Sequence, residues 1–92
     1  MTEVNVRVDV KDIGRLTDDL KTITVYLKDK DNKTLAHKTL KPNEFEPMLK
    51  RGKIKTRIRK LLIGEAEKIL IWPYSHSEKW LDSTEHPISN KR

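Results

Sequence analysis

Lysine and arginine side chains are concentrated between residues 50 and 62, where the chain reads KRGKIKTRIRKLL without an acidic residue. The seven cations are Lys50, Arg51, Lys53, Lys55, Arg57, Arg59 and Lys60. Grouped cations favour an anionic partner, because each phosphate that they neutralise releases condensed counterions. Arginine can also bind a phosphate or a guanine edge through two parallel hydrogen bonds. The segment therefore predicts a surface that binds the phosphate backbone of DNA or RNA.

The positive charge of the chain is local to this segment. The formal net charge of the 92 residues is +6, and residues 41–62 alone hold eight basic and two acidic residues. A patch is therefore expected, rather than a uniformly basic surface. An acidic surface on a protein or nucleoprotein complex is the alternative partner, and a face that only solvates the fold is a third interpretation. A membrane is not expected as partner, because the core needs the apolar residues of the segment.

Aromatic side chains are the second group that could contact nucleic acid, since bases stack on exposed rings. Tyr26 is expected on the polar side of its strand, and Trp72 and Tyr74 share one side of another strand. These residues are the candidate aromatic contacts. The alternative is a core role for the tryptophans, Trp72 and Trp80, which are highly buried on average. The chain lacks the glycine-aromatic octapeptide of an RRM domain.

Groups typical of catalysis or metal binding are not brought together by the sequence. The chain has no cysteine, and its three glycines never cluster into a phosphate-binding loop. The histidines His37, His76 and His86 are far apart, and none stands at ligand spacing from a carboxylate. We therefore expect a binding protein rather than an enzyme, without a metal or another cofactor.

Apolar runs are short along the whole chain. The longest are residues 61–63 and 69–72, far below the roughly 20 residues of a transmembrane helix. The first ten residues lack the features of a signal peptide, and the absence of cysteine fits a reducing compartment. A cytoplasmic protein is predicted. Its length suits a single domain over residues 1–87, followed by a disordered tail over residues 88–92.

Apolar spacing predicts the element that carries the cations. The apolar residues of the segment are Ile54, Ile58, Leu61 and Leu62. They stand at i, i+4, i+7 and i+8, the spacing of a helix with one buried stripe. We therefore expect a basic amphipathic helix within residues 50–62, with Gly52 interrupting its start and Gly64 as its C-cap.

Alternating or apolar segments of strand length surround that helix. They are residues 3–10, 22–28, 34–40 and 67–74. Short helices are expected over residues 44–51 and over residues 76–82, the second one behind a capping box that begins at Ser75. The elements predict an α+β fold in the order β-β-β-α-β with a short C-terminal helix. In this fold a mostly antiparallel sheet of three to four strands packs one face against the basic helix.

The run from Thr22 to Lys60 resembles the DNA-binding domains of tyrosine-type integrases of mobile elements in its hairpin turn and element order. Those domains place a β-sheet against DNA, so the resemblance implies DNA as the partner. Small, basic, cysteine-free chains are also common among bacteriophage and plasmid accessory proteins. That class implies an inhibitor or adaptor that docks on a host protein with an exposed aromatic anchor. A homodimer through an edge strand or through residues 69–74 also stays open.

Overall fold

The computed structural model of the chain describes residues 2–60 and 63–88. Seven strands, one α-helix and one 3₁₀ turn follow one another along these residues. The strands are β1 (Thr2–Asp9), β2 (Leu20–Lys28), β3 (Thr34–Leu40), β4 (Lys53–Lys60), β5 (Lys68–Ser75), β6 (Lys79–Trp80) and β7 (Thr84–Pro87). The helix α1 spans Pro42–Arg51, and the 3₁₀ turn spans Val10–Asp12.

The described strands form two antiparallel sheets. In the smaller sheet, β1 pairs with β4 without a register shift, from Thr2 opposite Lys60 to Asp9 opposite Lys53. In the larger sheet, the order is β3-β2-β5, and β5 pairs along its other edge with β6 and β7. The predicted α+β class with a mostly antiparallel arrangement is confirmed. The described part of the chain holds seven strands, more than the three to four expected.

Alternation along the strands builds one hydrophobic core between the two sheets. Its buried members include Val6, Val8, Ile54 and Ile58 from the smaller sheet, Ile23, Val25, Leu27, Ile69 and Ile71 from the larger sheet, and Phe45 from α1. Each such side chain contributes about 1.5–3 kcal/mol by leaving water. Because successive side chains of a strand point to opposite faces, the residues that alternate with these core positions point away from the core on each sheet.

The predicted basic helix is wrong, because residues 53–60 form strand β4. Ile54 and Ile58 are four residues apart, a spacing that shares one face of a helix and equally one face of a strand. The residues between them favour the strand, since KIKTRIR alternates basic with β-branched side chains, which suit extended backbone. Pairing with β1 supplies the hydrogen bonds of the ladder. Leu61 and Leu62, which completed the helical pattern, lie outside the described residues.

Helix α1 corresponds to the predicted short helix and begins two residues earlier than expected, at Pro42. Pro42 occupies the first helical position, where its missing N–H leaves no hydrogen bond unmade. The Glu44 carboxylate accepts the backbone N–H of Lys41, the N-cap residue, at 3.0 Å. Gly52 ends the helix with a φ of 84°, a left-handed conformation that glycine adopts without strain.

The predicted C-terminal helix over residues 76–82 is also wrong, because its first residues form a turn that leads into β6. Asp19, distant in the sequence, holds this turn. Its carboxylate accepts the backbone N–H of Ser77 at 2.9 Å and also the Ser77 hydroxyl. The Ser75 hydroxyl accepts the Glu78 N–H at 2.8 Å, as a helix cap would. Pairing of β6 with β5 then takes the place of further helical turns.

Strand β5 corresponds to the predicted strand over residues 67–74 and has neighbours on both edges. It is apolar on both sides but fully buried on only one, that of Ile69 and Ile71. Leu70 and Trp72 on the other side are half-buried. Pro73 lies inside the strand and is buried. The outward side of the larger sheet is therefore apolar and partly open to solvent.

At the C-terminal end of the described chain, Ile88 is partly buried against the core. The rest of the predicted tail, residues 89–92, lies outside the described residues. Within residues 2–60 and 63–88, no helix is long and apolar enough to cross a membrane.

Candidate functional site

Outward residues of β1 and β4 form a surface that we call the cationic face. Its members are Glu3, Asn5, Arg7 and Asp9 on β1, and Lys53, Lys55, Arg57 and Arg59 on β4. They alternate with inward residues of the core, so strand geometry places every second side chain of β4 on this face. Five cations against two carboxylates give the face a net charge of +3. Four of the seven cations singled out in the sequence lie here side by side.

Two cations of this face are paired with carboxylates of β1. Lys53 Nζ lies 3.6 Å from Asp9 Oδ1, and Arg57 Nη1 lies 3.6 Å from Glu3 Oε1. The four side chains are 40–74% exposed, and exposed ion pairs of this kind contribute about 0.2–1 kcal/mol. A phosphate can therefore compete with either carboxylate for its cation at a small cost in stability.

The centre of the cationic face brings two like charges together. Arg7 and Lys55 stand directly opposite each other in the register of β1 and β4. Among the ion pairs of the described residues, none includes either of them. Like charges in opposed positions destabilise a ladder. An anion bound between them would replace this repulsion by attraction, so the face gains most from a ligand at this point.

A cleft of about 510 Å³ opens beside this pair. It is lined by Arg7, Met48, Arg51, Lys53 and Lys55. Arg51 belongs to the last turn of α1, so the helix adds a fourth cation to the three from the strands. Several positive donors around one open cavity suit a phosphate group, whose oxygens accept charge-assisted hydrogen bonds.

The remaining residues of the predicted site are not on the cationic face. Lys50 is exposed on α1, and Lys60 occupies an inward position of β4, where its ammonium donates to the Gly64 carbonyl oxygen. Arg7 is the site residue that sequence reasoning missed. The alternation of β1 places it on the polar side of that strand, but only the pairing with β4 brings it opposite Lys55.

The outward side of the larger sheet carries a row of rings that we call the aromatic face. Its members are His37 on β3, Tyr26 on β2, Trp72 and Tyr74 on β5, and Trp80 on β6. The Tyr26 ring centroid lies 5.8 Å from that of His37 and 6.5 Å from that of Trp72. The Trp80 centroid lies 5.0 Å from that of Trp72 and 4.7 Å from that of Tyr74. These contacts join the candidate aromatic residues into one row across four strands.

Exposure distinguishes Trp80 from its neighbours. Trp80 is 50% exposed, so the alternative interpretation of it as a core residue is wrong. Tyr26, Trp72 and Tyr74 are half-buried, partly by one another. The Trp72 indole N–H donates to the Leu81 carbonyl oxygen at 2.7 Å, which fixes its ring beside that of Trp80. This hydrogen bond therefore holds the ring of Trp72 in place within the row.

Two lysines border the aromatic face at one end. Lys28 and Lys68 are opposite each other in the register of β2 and β5. Lys28 Nζ lies 5.7 Å from the centre of the Tyr26 ring, within the range of a cation–π contact. Glu85 of β7 stands opposite Leu70 and places one carboxylate on the same side.

Among the described residues, two titratable groups outside both faces have shifted pKa values. Hydrogen bonds from Ser77 and Thr17 lower the pKa of Asp19 from 3.8 to about 2. Burial lowers the pKa of His86, whose Nε2 lies 2.7 Å from Thr84 Oγ1. Both groups are engaged in local hydrogen bonds that hold loops and β7. Within the described residues, no group of three His, Cys, Asp or Glu side chains is placed to hold a metal ion.

Comparison with known proteins adds no relative to these observations. No protein-family model matches the sequence. Searches of curated proteins and of solved structures likewise found no match. The function is therefore argued from the two faces alone.

Proposed function

We propose that the protein binds nucleic acid through the cationic face and the adjoining cleft, as a binding module rather than an enzyme. The observation that carries the proposal is the register of β1 and β4, which places Arg7 opposite Lys55. Repulsion between these two cations lowers the stability of the free protein. A phosphate backbone would offset this repulsion and would also contact the other outward cations of β4, because it carries one anion per nucleotide.

The spacing of the cations supports a backbone rather than a single phosphate. Alternate residues of a strand are about 6.6–6.8 Å apart, so the four outward cations of β4 form a row of roughly 20 Å. Each strand of B-DNA carries one phosphate per about 3.4 Å of helix axis. A row of this length therefore follows several consecutive phosphates. Phosphate contacts position a protein without reading bases, so we expect binding with little sequence preference.

The test reverses two cations of the cationic face, Lys55 and Arg59, that take part in none of the ion pairs of residues 2–60 and 63–88. Lys55→Glu combined with Arg59→Glu should weaken binding to a fluorescently labelled duplex at least tenfold at about 0.1 M salt, measured by anisotropy titration. The matched control is Lys21→Glu combined with Lys30→Glu, which removes the same charge from exposed positions elsewhere. The control should bind within about twofold of the wild type, since only long-range attraction changes.

Salt dependence gives the second part of the test. Log affinity of the wild type should fall linearly with log salt, and each lost phosphate contact should reduce the slope by about 0.9. The proposal is wrong if both double variants bind equally well, or if wild-type affinity is the same in low and high salt.

An acidic protein surface is the alternative partner for the same cations. Binding to such a surface would show a similar salt dependence, but a competition experiment with duplex distinguishes the two partners. A labelled duplex bound to the cationic face should be displaced by unlabelled duplex at stoichiometric excess, and the acidic-protein alternative predicts no saturable duplex binding at all.

A further inference from the structure

We propose that the aromatic face is a second nucleic-acid contact, which stacks unpaired bases, so that the ligand includes a single-stranded segment. This inference rests on the proposed function and extends it to a face on the larger sheet. Bases inside a duplex are already stacked on each other and cannot reach a protein ring. Unpaired bases can stack on aromatic side chains, whatever the base sequence. The chemistry of the aromatic face therefore selects for single strands.

The row of rings has the continuity that successive bases need. Tyr26 and Trp80 flank Trp72, with centroid separations of 6.5 and 5.0 Å. Trp80 is 50% exposed, and Tyr26 lies on the outward side of β2 beside His37. Because Trp72 donates a hydrogen bond to the Leu81 carbonyl oxygen, the ring at the centre of this row is ordered before a ligand arrives. Such preorganisation lowers the entropy lost on binding.

Charge argues for a nucleic acid over an apolar protein surface on this face. Lys28 and Lys68 stand side by side at the end of the row, and Lys28 Nζ lies 5.7 Å from the Tyr26 ring centre. A backbone that brings bases to the rings also brings phosphates to these cations. An apolar partner would desolvate both ammonium groups without offering an anion.

A second copy of the chain is disfavoured for the same reason. Two copies that met through this face would bring together proteins that each carry a net charge of +6. Each copy would also add its own Lys28 and Lys68 to the interface. Self-repulsion of this kind opposes association, whereas a polyanion is attracted by the same charge.

The two tryptophans of the chain provide a label-free test, because Trp72 and Trp80 both lie on the aromatic face. A single-stranded oligothymidylate of roughly 16 nucleotides should quench their fluorescence in a saturable titration. A duplex of the same length, bound at the cationic face, should leave the fluorescence nearly unchanged while still raising the anisotropy of its own label.

Two substitutions localise the contact. Trp80→Ala should weaken oligothymidylate binding roughly tenfold, the effect of losing one stacked base, with duplex affinity kept within about twofold. Trp80→Phe should restore most of the loss, since a ring remains. Tyr26→Leu repeats the test at the other end of the row, and circular dichroism shows that each variant is folded.

The outcomes separate this inference from the proposed function. If Trp80→Ala and Tyr26→Leu bind oligothymidylate as the wild type does, while Lys55→Glu with Arg59→Glu loses duplex binding, the inference is overturned and the proposed function stands. If the aromatic variants lose single-strand binding but the charge reversals change nothing, the proposed function fails instead. A third outcome would assign the aromatic face to a second copy of the chain. In that case Trp80→Ala and Tyr26→Leu would bind oligothymidylate as the wild type does, but sedimentation would show a dimer for the wild type and a monomer for the variants.

Discussion

The cationic and aromatic faces both arise from strand alternation, but the contacts between their neighbouring side chains differ in their effect on stability. On the aromatic face, neighbouring rings pack against each other, and aromatic pairs of this kind stabilise a fold by about 0.5–1.5 kcal/mol each beyond burial. On the cationic face, Arg7 and Lys55 repel each other across the ladder. The ring contacts of the aromatic face thus add to the stability of the free protein, and the central Arg7–Lys55 pair of the cationic face subtracts from it.

This difference decides how strongly each face argues for a ligand. A row of packed rings is explained in part by the stability that it gives, even without a partner. A pair of opposed cations is not explained by stability, so a ligand is the better reason for it. The cationic face therefore supports the proposed function more directly than the aromatic face does, and the following substitutions test the comparison.

The largest expected effect concerns the core that both faces share. Ile71 is fully buried on β5, directly between Leu70 and Trp72 in the sequence. Ile71→Ala should lower the free energy of unfolding by about 2–5 kcal/mol, through lost burial and the cavity that remains. Urea denaturation followed by tryptophan fluorescence measures the change. Ile71→Val, the control that removes a single methylene, should cost about 0.5–1.5 kcal/mol; equal costs would mean that the site collapses around either side chain.

Truncating one side chain from each face compares them directly. Trp80→Ala removes ring contacts with both Trp72 and Tyr74, so the free energy of unfolding should fall by about 1–2 kcal/mol. Lys55→Ala removes an exposed cation and its repulsion from Arg7, so stability should stay within about 0.5 kcal/mol of the wild type or rise slightly. A destabilisation by Lys55→Ala as large as that by Trp80→Ala would remove the contrast between the faces.

A smaller effect of opposite sign is expected at Arg7. Arg7→Glu places a carboxylate opposite Lys55, which should raise the free energy of unfolding by about 0.2–1 kcal/mol. The same variant should bind duplex more weakly, because the cleft loses a cation and gains an anion. Lys21→Glu, which makes the same charge change at an exposed position of β2, is the control. A variant at Arg7 that is less stable and binds less well would show that the residue serves the fold instead.

The smallest expected effect is a loss of stability at acid pH, and it concerns Asp19, which binds the turn before β6. The folded-state pKa of Asp19 is about 2, below its ordinary value of 3.8, because Ser77 and Thr17 donate hydrogen bonds to the carboxylate. Its contribution to stability is therefore fully present above pH 3.8 and is lost as pH falls through about 2. Thermal melts at pH 2–6 should show the difference between the wild type and Asp19→Asn shrinking towards low pH. A constant difference across this range would exclude the proposed titration.

Local patterns predicted most of the strands but not how they pair. Alternation and turn chemistry are local signals, so the sequence was sufficient to predict β1, the β2–β3 hairpin and β5. Strand β4 was mistaken for a helix because Ile54 and Ile58 fit both periods and the flanking Leu61 and Leu62 favoured the helical one. The alternation of its basic residues was the signal that pointed the other way.

Long-range contacts explain what the sequence could not show at the two faces. Arg7 belongs to the cationic face only through the register with β4. Trp80 reaches the aromatic face because Asp19, nearly sixty residues earlier, binds the turn before β6. Neither partner lies within the window of any helical or strand pattern, so both residues could be placed only with the tertiary structure.

The antiparallel ladder of β1 and β4 also bears on the order in which the protein is made. Paired residues are separated by 44 positions at Asp9–Lys53 and by 58 at Thr2–Lys60. While the ribosome is still translating the intervening segment, β1 has no neighbour for its backbone or for its valine side. Contacts so distant in sequence slow folding and leave an unpaired strand open to aggregation. The surface proposed to hold nucleic acid therefore forms late, after β4 has left the exit tunnel.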